Sequence, residues 1–361
     1  TILDANASQS EESGVIIIPE CENVKVANMT LRRGYTESHG CSGGGALLVT
    51  ANDTRDLTWD TRTNKAVLEN LILENSHSKN GGGLSLFRVD GPTVKDLIVR
   101  NNTATMMGGG INVYSSVFSM EDVEIHDNLC YGTVYGGFND VGHGGGLFLN
   151  QTWGTLDNMD IHHNTASMNG GGVWSSEGSA WTMTNSNVSD NIAPYNGGGF
   201  GFWNHNGEDL NATLINVTIE NNTAQPGWFV GHGGGVWAYN SSTVFQDCII
   251  KNNTAGGNGG GVNYYDGGWP ELYNCVIDGN TSNAIGGGVY IHDEGGWNNN
   301  GLTMDRCLVT NNSSNQWAGA ISSAGNAGIN RITNSTIVGN SGEGAAVEAY
   351  NASGLEVINS I

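Results

Sequence analysis

Apolar side chains recur along this chain in short runs that alternate with polar ones. Leu84 and Leu86, Ile111 and Val113, Leu147 and Leu149, Phe200 and Phe202, Val262 and Tyr264, and Val289 and Ile291 each stand two residues apart. Val173 and Val236 open runs of the same kind. A period of two predicts strands with one buried face. Every run follows a cluster of glycines, beginning at residues 43, 81, 108, 144, 170, 197, 233, 259 and 286, with degenerate copies at Ala318–Ile321 and Gly344–Val347. No amphipathic helical stretch lies between the runs, which excludes leucine-rich, ankyrin and TPR repeats.

A second marker keeps step with the glycines. Segments such as "LIVRNN", "MDIHHN" and "CVIDGN" end on Asn102, Asn128, Asn164, Asn191, Asn222, Asn253, Asn280, Asn312 and Asn340, in most units six residues before the glycines. The shortest unit is 26–27 residues, and anchors 108, 144, 170 and 197 recur 89 residues later at 197, 233, 259 and 286. We infer duplication of a three-unit cassette. It predicts inserted loops on one side of the molecule at every third unit, around "CYGTVYGGFNDV", "QPGWFV", "NHNGEDLN" and "HDEGGWNNN".

Short strands, one unit per turn and no helices describe an all-β solenoid, a single-stranded parallel β-helix of about 11–12 coils. Coils about 4.8 Å apart give a rod about 55 Å long. Asparagine tolerates the left-handed conformation of a sharp corner, and amides stacked in register can bond from coil to coil. Glycine beside the corner permits positive φ and close approach of the backbone. Residues 1–361 therefore read as one domain. The sequence opens on a strand-like "TIL" and stops within a coil, at "LEVINSI", which reads as an excerpt of a longer rod or as stacking of molecules end to end.

Composition refines this picture. Length alone, at 361 residues, suggests about two ordinary domains, but 56 glycines and 13 % charged residues suit a packed repeat. A net charge of −22 repels phosphate backbones and excludes nucleic acid as a partner. No apolar run reaches the roughly 18 residues of a membrane span. An acidic surface rich in Asn, Ser and Thr points to a secreted, extracellular or cell-surface protein.

The stretches "NNTATMMGGGI", "NNTAGGNGGGV" and "NSTIVGNSGEGAAV" resemble the bacterial choice-of-anchor Q domain and related right-handed β-helix proteins. The polymorphic outer membrane proteins, with Gly-Gly-Ala-Ile and Phe-x-x-Asn repeats, are similar. The resemblance implies a right-handed solenoid and a secreted or surface-attached rod, and carries little about activity.

Candidate chemistry is sparse. One position past the buried residue, Phe148, Trp174, Trp237 and Tyr290 are expected to point outward; two further on come Phe87, Tyr114, Trp203, Tyr239 and Tyr265. An exposed aromatic stripe marks a carbohydrate or another surface protein as partner, unless the inserted loops fold over it. Asn-x-Ser/Thr triplets at Asn6, Asn28, Asn52, Asn101, Asn150, Asn187, Asn211, Asn216, Asn221, Asn240, Asn252, Asn280, Asn311, Asn334 and Asn351 would accept glycans in a eukaryotic secreted chain, although "NNTA" also belongs to the corner motif. Cys248, Cys275 and Cys307 fall at one position of three successive coils, either as stacked thiols or as a 248–275 or 275–307 bridge; Cys21 and Cys41 could pair, and Cys130 falls in a loop. Glu208–Asp209 and Asp293–Glu294 read as solvated turns rather than a hydrolase pair. After Arg100 the only basic residues are Lys251, Arg306 and Arg331, which argues against a lyase. His143 and His232 lie about 14 Å apart, too far to share a metal. His162 and His163, adjacent in a strand, are expected to face opposite ways. No catalytic residue, metal or cofactor is assigned, with isolated Ca2+ sites left open. The sequence thus favours a non-enzymatic extracellular β-helix, an adhesin or fibre-forming subunit. The alternative is a polysaccharide-binding protein or a polysaccharide lyase or glycoside hydrolase working in the groove of the helix.

Overall fold

A computed structural model of the chain describes all residues except 20–23, 38–42, 51–61, 64, 133–140, 206–209, 226–229, 294–299, 326–327 and 352–353. Among the described residues there are strands and turns but no helix, so no helix is long and apolar enough to cross a membrane. The chain winds into a right-handed parallel β-solenoid of about 11 turns. Strands stack in three parallel sheets, a long face, a short face and a face that follows the glycines.

Register explains why the repeat is visible in the sequence. On the glycine face Leu84 pairs with Ile111, which pairs with Leu147, then Val173, Phe200, Val236, Val262, Val289 and Ile321. Equivalent residues therefore stack on one another. These positions, with the inward residues of the other faces, form one continuous apolar core along the axis. Burying a Leu, Val, Ile or Phe side chain contributes about 1.5–3 kcal/mol, and stacking spreads that gain evenly along the rod.

Each marker asparagine holds this stack together. Asn128 Nδ2 donates to Asn164 Oδ1 in the next coil at 3.0 Å and to the Val99 carbonyl at 2.8 Å, while Asn128 Oδ1 accepts from the Asn102 main-chain N–H at 3.0 Å. The same pattern runs from Asn102 to Asn340 in eight side-chain steps of 2.9–3.1 Å. Asn102 through Asn312 are fully buried. The left-handed corner, however, is not the ladder residue, as the sequence suggested, but the residue before it. Asn101, Asp127, His163, Asp190, Asn221 and Asn252 have φ of 53–56°, and Gly279 and Gly339 take the same place. The corner residue faces solvent so that its neighbour can turn inward.

The three glycines have three separate reasons, shown by Gly108–Gly110. Gly108 has φ +64°, a conformation that costs other residues. A Cβ on Gly109 would lie 2.3 Å from the Gly145 carbonyl of the next coil. A Cβ on Gly110 would lie 3.0 Å from Asn128 Nδ2. The last glycine thus makes room for the ladder amide, which is why glycines and asparagines keep phase.

The inserted segments do not all leave from one corner. One pair lies between the short and glycine faces, after Cys130 and after Gln225. The other lies between the glycine and long faces, after Trp203 and after Asp293. The cassette therefore places insertions at both edges of the glycine face.

Candidate functional site

Outward side chains of the glycine face form two aromatic columns. The first holds Phe148, Trp174, Trp237 and Tyr290, which leave the solenoid interior as expected but are not exposed: they are 3 %, 5 %, 6 % and 6 % accessible. Phe148, Trp174 and Trp237 make their own apolar cluster, with Met107, Trp203 and Tyr239 against it. Gly201 makes this packing feasible. It occupies the coil between Trp174 and Trp237, and a Cβ there would sit 2.4 Å from the Trp174 ring. The indole of Trp174 therefore lies across Gly201 and stacks on Trp237 at 6.1 Å, with an interplanar angle of 11°.

In the second column Phe87 is buried, while Tyr114, Trp203, Tyr239 and Tyr265 are half-buried and stack from coil to coil. Trp203 stacks on Tyr239 at 4.7 Å, Tyr239 on Tyr265 at 6.2 Å, and Tyr265 on His292 at 5.1 Å. Trp203 also stacks on Trp237, and Phe87 on Tyr114, joining rows and coils. Each such pair contributes about 0.5–1.5 kcal/mol beyond area burial. Tyr239 is fixed further by its hydroxyl, which donates to Asp266 Oδ2 at 2.9 Å.

Where the first column ends, the face opens into a cavity of about 220 Å³. Phe148, Trp174 and Trp203 supply its aromatic walls, and Met107 closes one side. Asn150, Asn169, Ser176, Glu177 and His143 add polar groups. Asn150 Nδ2 donates to Ser176 Oγ at 2.8 Å, and Asn169 Nδ2 lies 3.3 Å from His143 Nδ1. His143 stacks on Trp174 at 4.7 Å, which holds its ring against the wall. Among the described residues that line the cavity, Glu177 is the one carboxylate and none is Lys or Arg. Sequence reading found the rings but missed Met107, His143, Asn169 and Glu177 as wall residues. The duplicated "GHGGG" placed His143 beside the triplet, yet the Trp174 ring that meets it comes from the next coil.

Other expected sites fall as follows. Of the triplet asparagines, Asn6, Asn28, Asn101, Asn211, Asn216, Asn221, Asn252, Asn311, Asn334 and Asn351 are exposed, and Asn150, Asn187 and Asn240 are half-buried. Asn280 is fully buried, with Nδ2 bonded to the Ile250 carbonyl and Asn312 Oδ1, so in the folded rod it is a ladder residue and not an acceptor. Asn52, Cys21 and Cys41 lie outside the described residues, as do Glu208, Asp209 and Glu294. Cys248, Cys275 and Cys307 stack in register as buried free thiols and form no bridge; the Cys275 main-chain N–H points at Cys307 Sγ at 3.4 Å. Cys130 is not in a loop but ends the short strand Leu129–Cys130, and burial pushes its thiol well up. Asp293 is likewise no solvated turn: it ends the strand Val289–Asp293 and is 3 % accessible. His232 is held below its ordinary range by burial, and its Nδ1 accepts from the Asn258 N–H at 3.0 Å. His162 and His163 do not point apart. His163 is the corner residue, with φ 54°, and its Nδ1 lies 2.8 Å from His162 Nδ1. Strand alternation fails there because the strand has ended.

No curated protein and no solved structure matches this chain. Residues 232–361 match the family model described as a right handed beta helix region, in agreement with the parallel β-helix fold of the coil stack.

Proposed function

We propose that the chain is a non-enzymatic extracellular β-helix that binds carbohydrate on its glycine face. The observation that carries this reading is the half-buried stack of Trp203, Tyr239 and Tyr265, backed by the buried Trp174 and Trp237 and adjoining a cavity with amide, hydroxyl and carboxylate walls. Sugars present apolar C–H faces and hydroxyl edges, and stacked rings beside polar groups suit both. A glycosidase needs two carboxyl groups, about 5–9.5 Å apart according to mechanism. Glu177 stands without a second carboxylate among the lining residues, and no basic side chain lines the cavity to stabilise a carbanion. Kinship with the choice-of-anchor Q and polymorphic outer membrane protein families, surface attachment and an adhesin role belong to the same proposal.

The test is a panel of neutral and acidic oligosaccharides offered to the purified chain, read by binding and by product release. We expect binding without turnover. Trp203→Ala should weaken it about tenfold, the equivalent of about 1.4 kcal/mol. Release of reducing ends or unsaturated products would move the assignment to an enzyme, and absence of binding across the panel would remove the carbohydrate reading.

A further inference from the structure

We propose that Glu124, His126 and His162 form a binding site for a first-row transition-metal dication of the zinc class on the outer surface of the long face. Val117–His126 and Trp153–His162 are neighbouring parallel strands in which Glu124 pairs with Asp160 and His126 with His162. Four metal-ligating side chains thus occupy a square two residues wide and two coils high. Ligand atoms of Glu124, His126 and His162 all lie within 4.8 Å of one another. Glu124 Oε1 is 3.3 Å from His162 Nε2 and 3.7 Å from His126 Nε2. Bonds of 2.0–2.2 Å in a tetrahedral zinc site place ligand atoms about 3.3–3.6 Å apart. The separations to Glu124 are close to those of a filled site.

The far nitrogens are already engaged. His126 Nδ1 bonds to Asp127 Oδ2 at 2.7 Å, the carboxylate–imidazole arrangement that orients metal-bound histidines. His162 Nδ1 meets His163 Nδ1 at 2.8 Å, which the left-handed corner at His163 brings round. Both contacts direct Nε2 toward Glu124. The two rings stack at 5.0 Å and 7° and are only 15 % and 21 % exposed; because a metal lies in the plane of each imidazole it binds, one ring turns about its side-chain bonds when both Nε2 atoms take the same ion. Asp160 Oδ2 lies 3.9 Å from His162 Nε2 at the edge of this three-residue cluster, and its other oxygen accepts from Asn187 Nδ2 at 3.0 Å; water completes the coordination in the proposed site. Two imidazoles with a carboxylate favour zinc, nickel, cobalt or copper over calcium or magnesium. The ligands come from two coils, so an ion there ties one coil to the next.

The experiment is calorimetric titration of tag-free, chelator-treated full chain with Zn2+, paired with Co2+ absorption spectroscopy. We expect one saturable equivalent, an intense cobalt ligand-field band, and a higher Tm with zinc. His126→Ala and His162→Ala should each weaken binding more than about tenfold and remove the zinc-dependent rise in Tm, while His205→Ala retains both. If an alanine variant fails to fold, Glu124→Gln and the cobalt spectrum of the unaltered chain decide the matter. Binding that is unchanged in the His126 and His162 variants, or no saturable binding up to about 1 mM ion, overturns the site.

Discussion

Replacing Asn222 by alanine tests the central physical claim, that a buried amide ladder holds the coils together. Asn222 makes four side-chain contacts. Its Nδ2 donates to the Val188 carbonyl at 2.8 Å and to Asn253 Oδ1 at 3.0 Å; its Oδ1 accepts from the Asn191 N–H at 3.0 Å and from Asn191 Nδ2 at 3.1 Å. Asn253 Oδ1 keeps the Asn222 main-chain donor, and Asn191 Nδ2 keeps the Ile161 carbonyl. The buried Asn191 N–H loses its acceptor, and the Val188 carbonyl loses one of its donors while keeping its place in the ladder with Thr218–Glu220. An unsatisfied buried polar group costs about 1–3 kcal/mol. With the lost bond to Val188 and the small void added, the loss comes to about 3–5 kcal/mol, a large part of the roughly 5–15 kcal/mol that stabilises a typical domain. Asn211→Ala is the comparison: Asn211 is exposed at the start of Asn211–Ile215, and its loss should stay within about 0.5 kcal/mol. Urea unfolding gives the difference. Because a solenoid couples each unit mainly to its neighbours, hydrogen exchange should accelerate first around Asn191 and Asn222. If Asn222→Ala unfolds within about 0.5 kcal/mol of Asn211→Ala, the ladder is ornamental and the reasoning fails.

Three further outcomes follow from named contacts. Gly234→Ala places a Cβ 2.5 Å from the Gly260 carbonyl and the Thr254 backbone, so it should cost about 1–3 kcal/mol in the same titration, and an unchanged midpoint would show that coils separate freely. Burial lowers the His232 pKa, so the unfolded chain binds the extra proton; His232 contributes stability that is complete above about pH 6.5 and lost as pH falls through the depressed value. Unfolding titrations across that window should therefore weaken toward acid in the native chain and less so in His232→Gln, and equal slopes would count against it. Cys130, Cys248, Cys275 and Cys307 should label with a thiol reagent only after denaturation, and rapid native labelling of any of them, located by mass spectrometry, would contradict their burial.

The fold was legible because stacked repeats write the same environment at the same phase. Leu84, Ile111 and Leu147 are inward in register, and the asparagines from Asn102 to Asn340 form the ladder their spacing implied. What the spacing hid was which residue takes the corner. Asn101 and Asn102 look alike in sequence, and only the inward amide, bonded to the Leu73 carbonyl, separates their roles. The aromatic positions were readable but their exposure was not: alternation says which way Trp174 leaves the strand, not that Gly201 one coil away lets the indole lie flat. The pairing of His126 with His162 was available from the aligned "VEIHDN" and "MDIHHN", but adjacency of His162 and His163 drew the reading to strand alternation.

A bond that each rung from Asn102 to Asn340 hands on unchanged also has a consequence for how such a molecule can vary. Removing residues 165–191 would set Asn164 against Asn222, amide to amide, with nothing left dangling. Fractional deletions have no such remedy. Length is then a quantity inherited in whole steps, which recombination between similar stretches of gene can raise or lower while the scaffold survives. The aromatic groove is less forgiving, since that same excision removes Trp174 and leaves Gly201 with no indole to shelter.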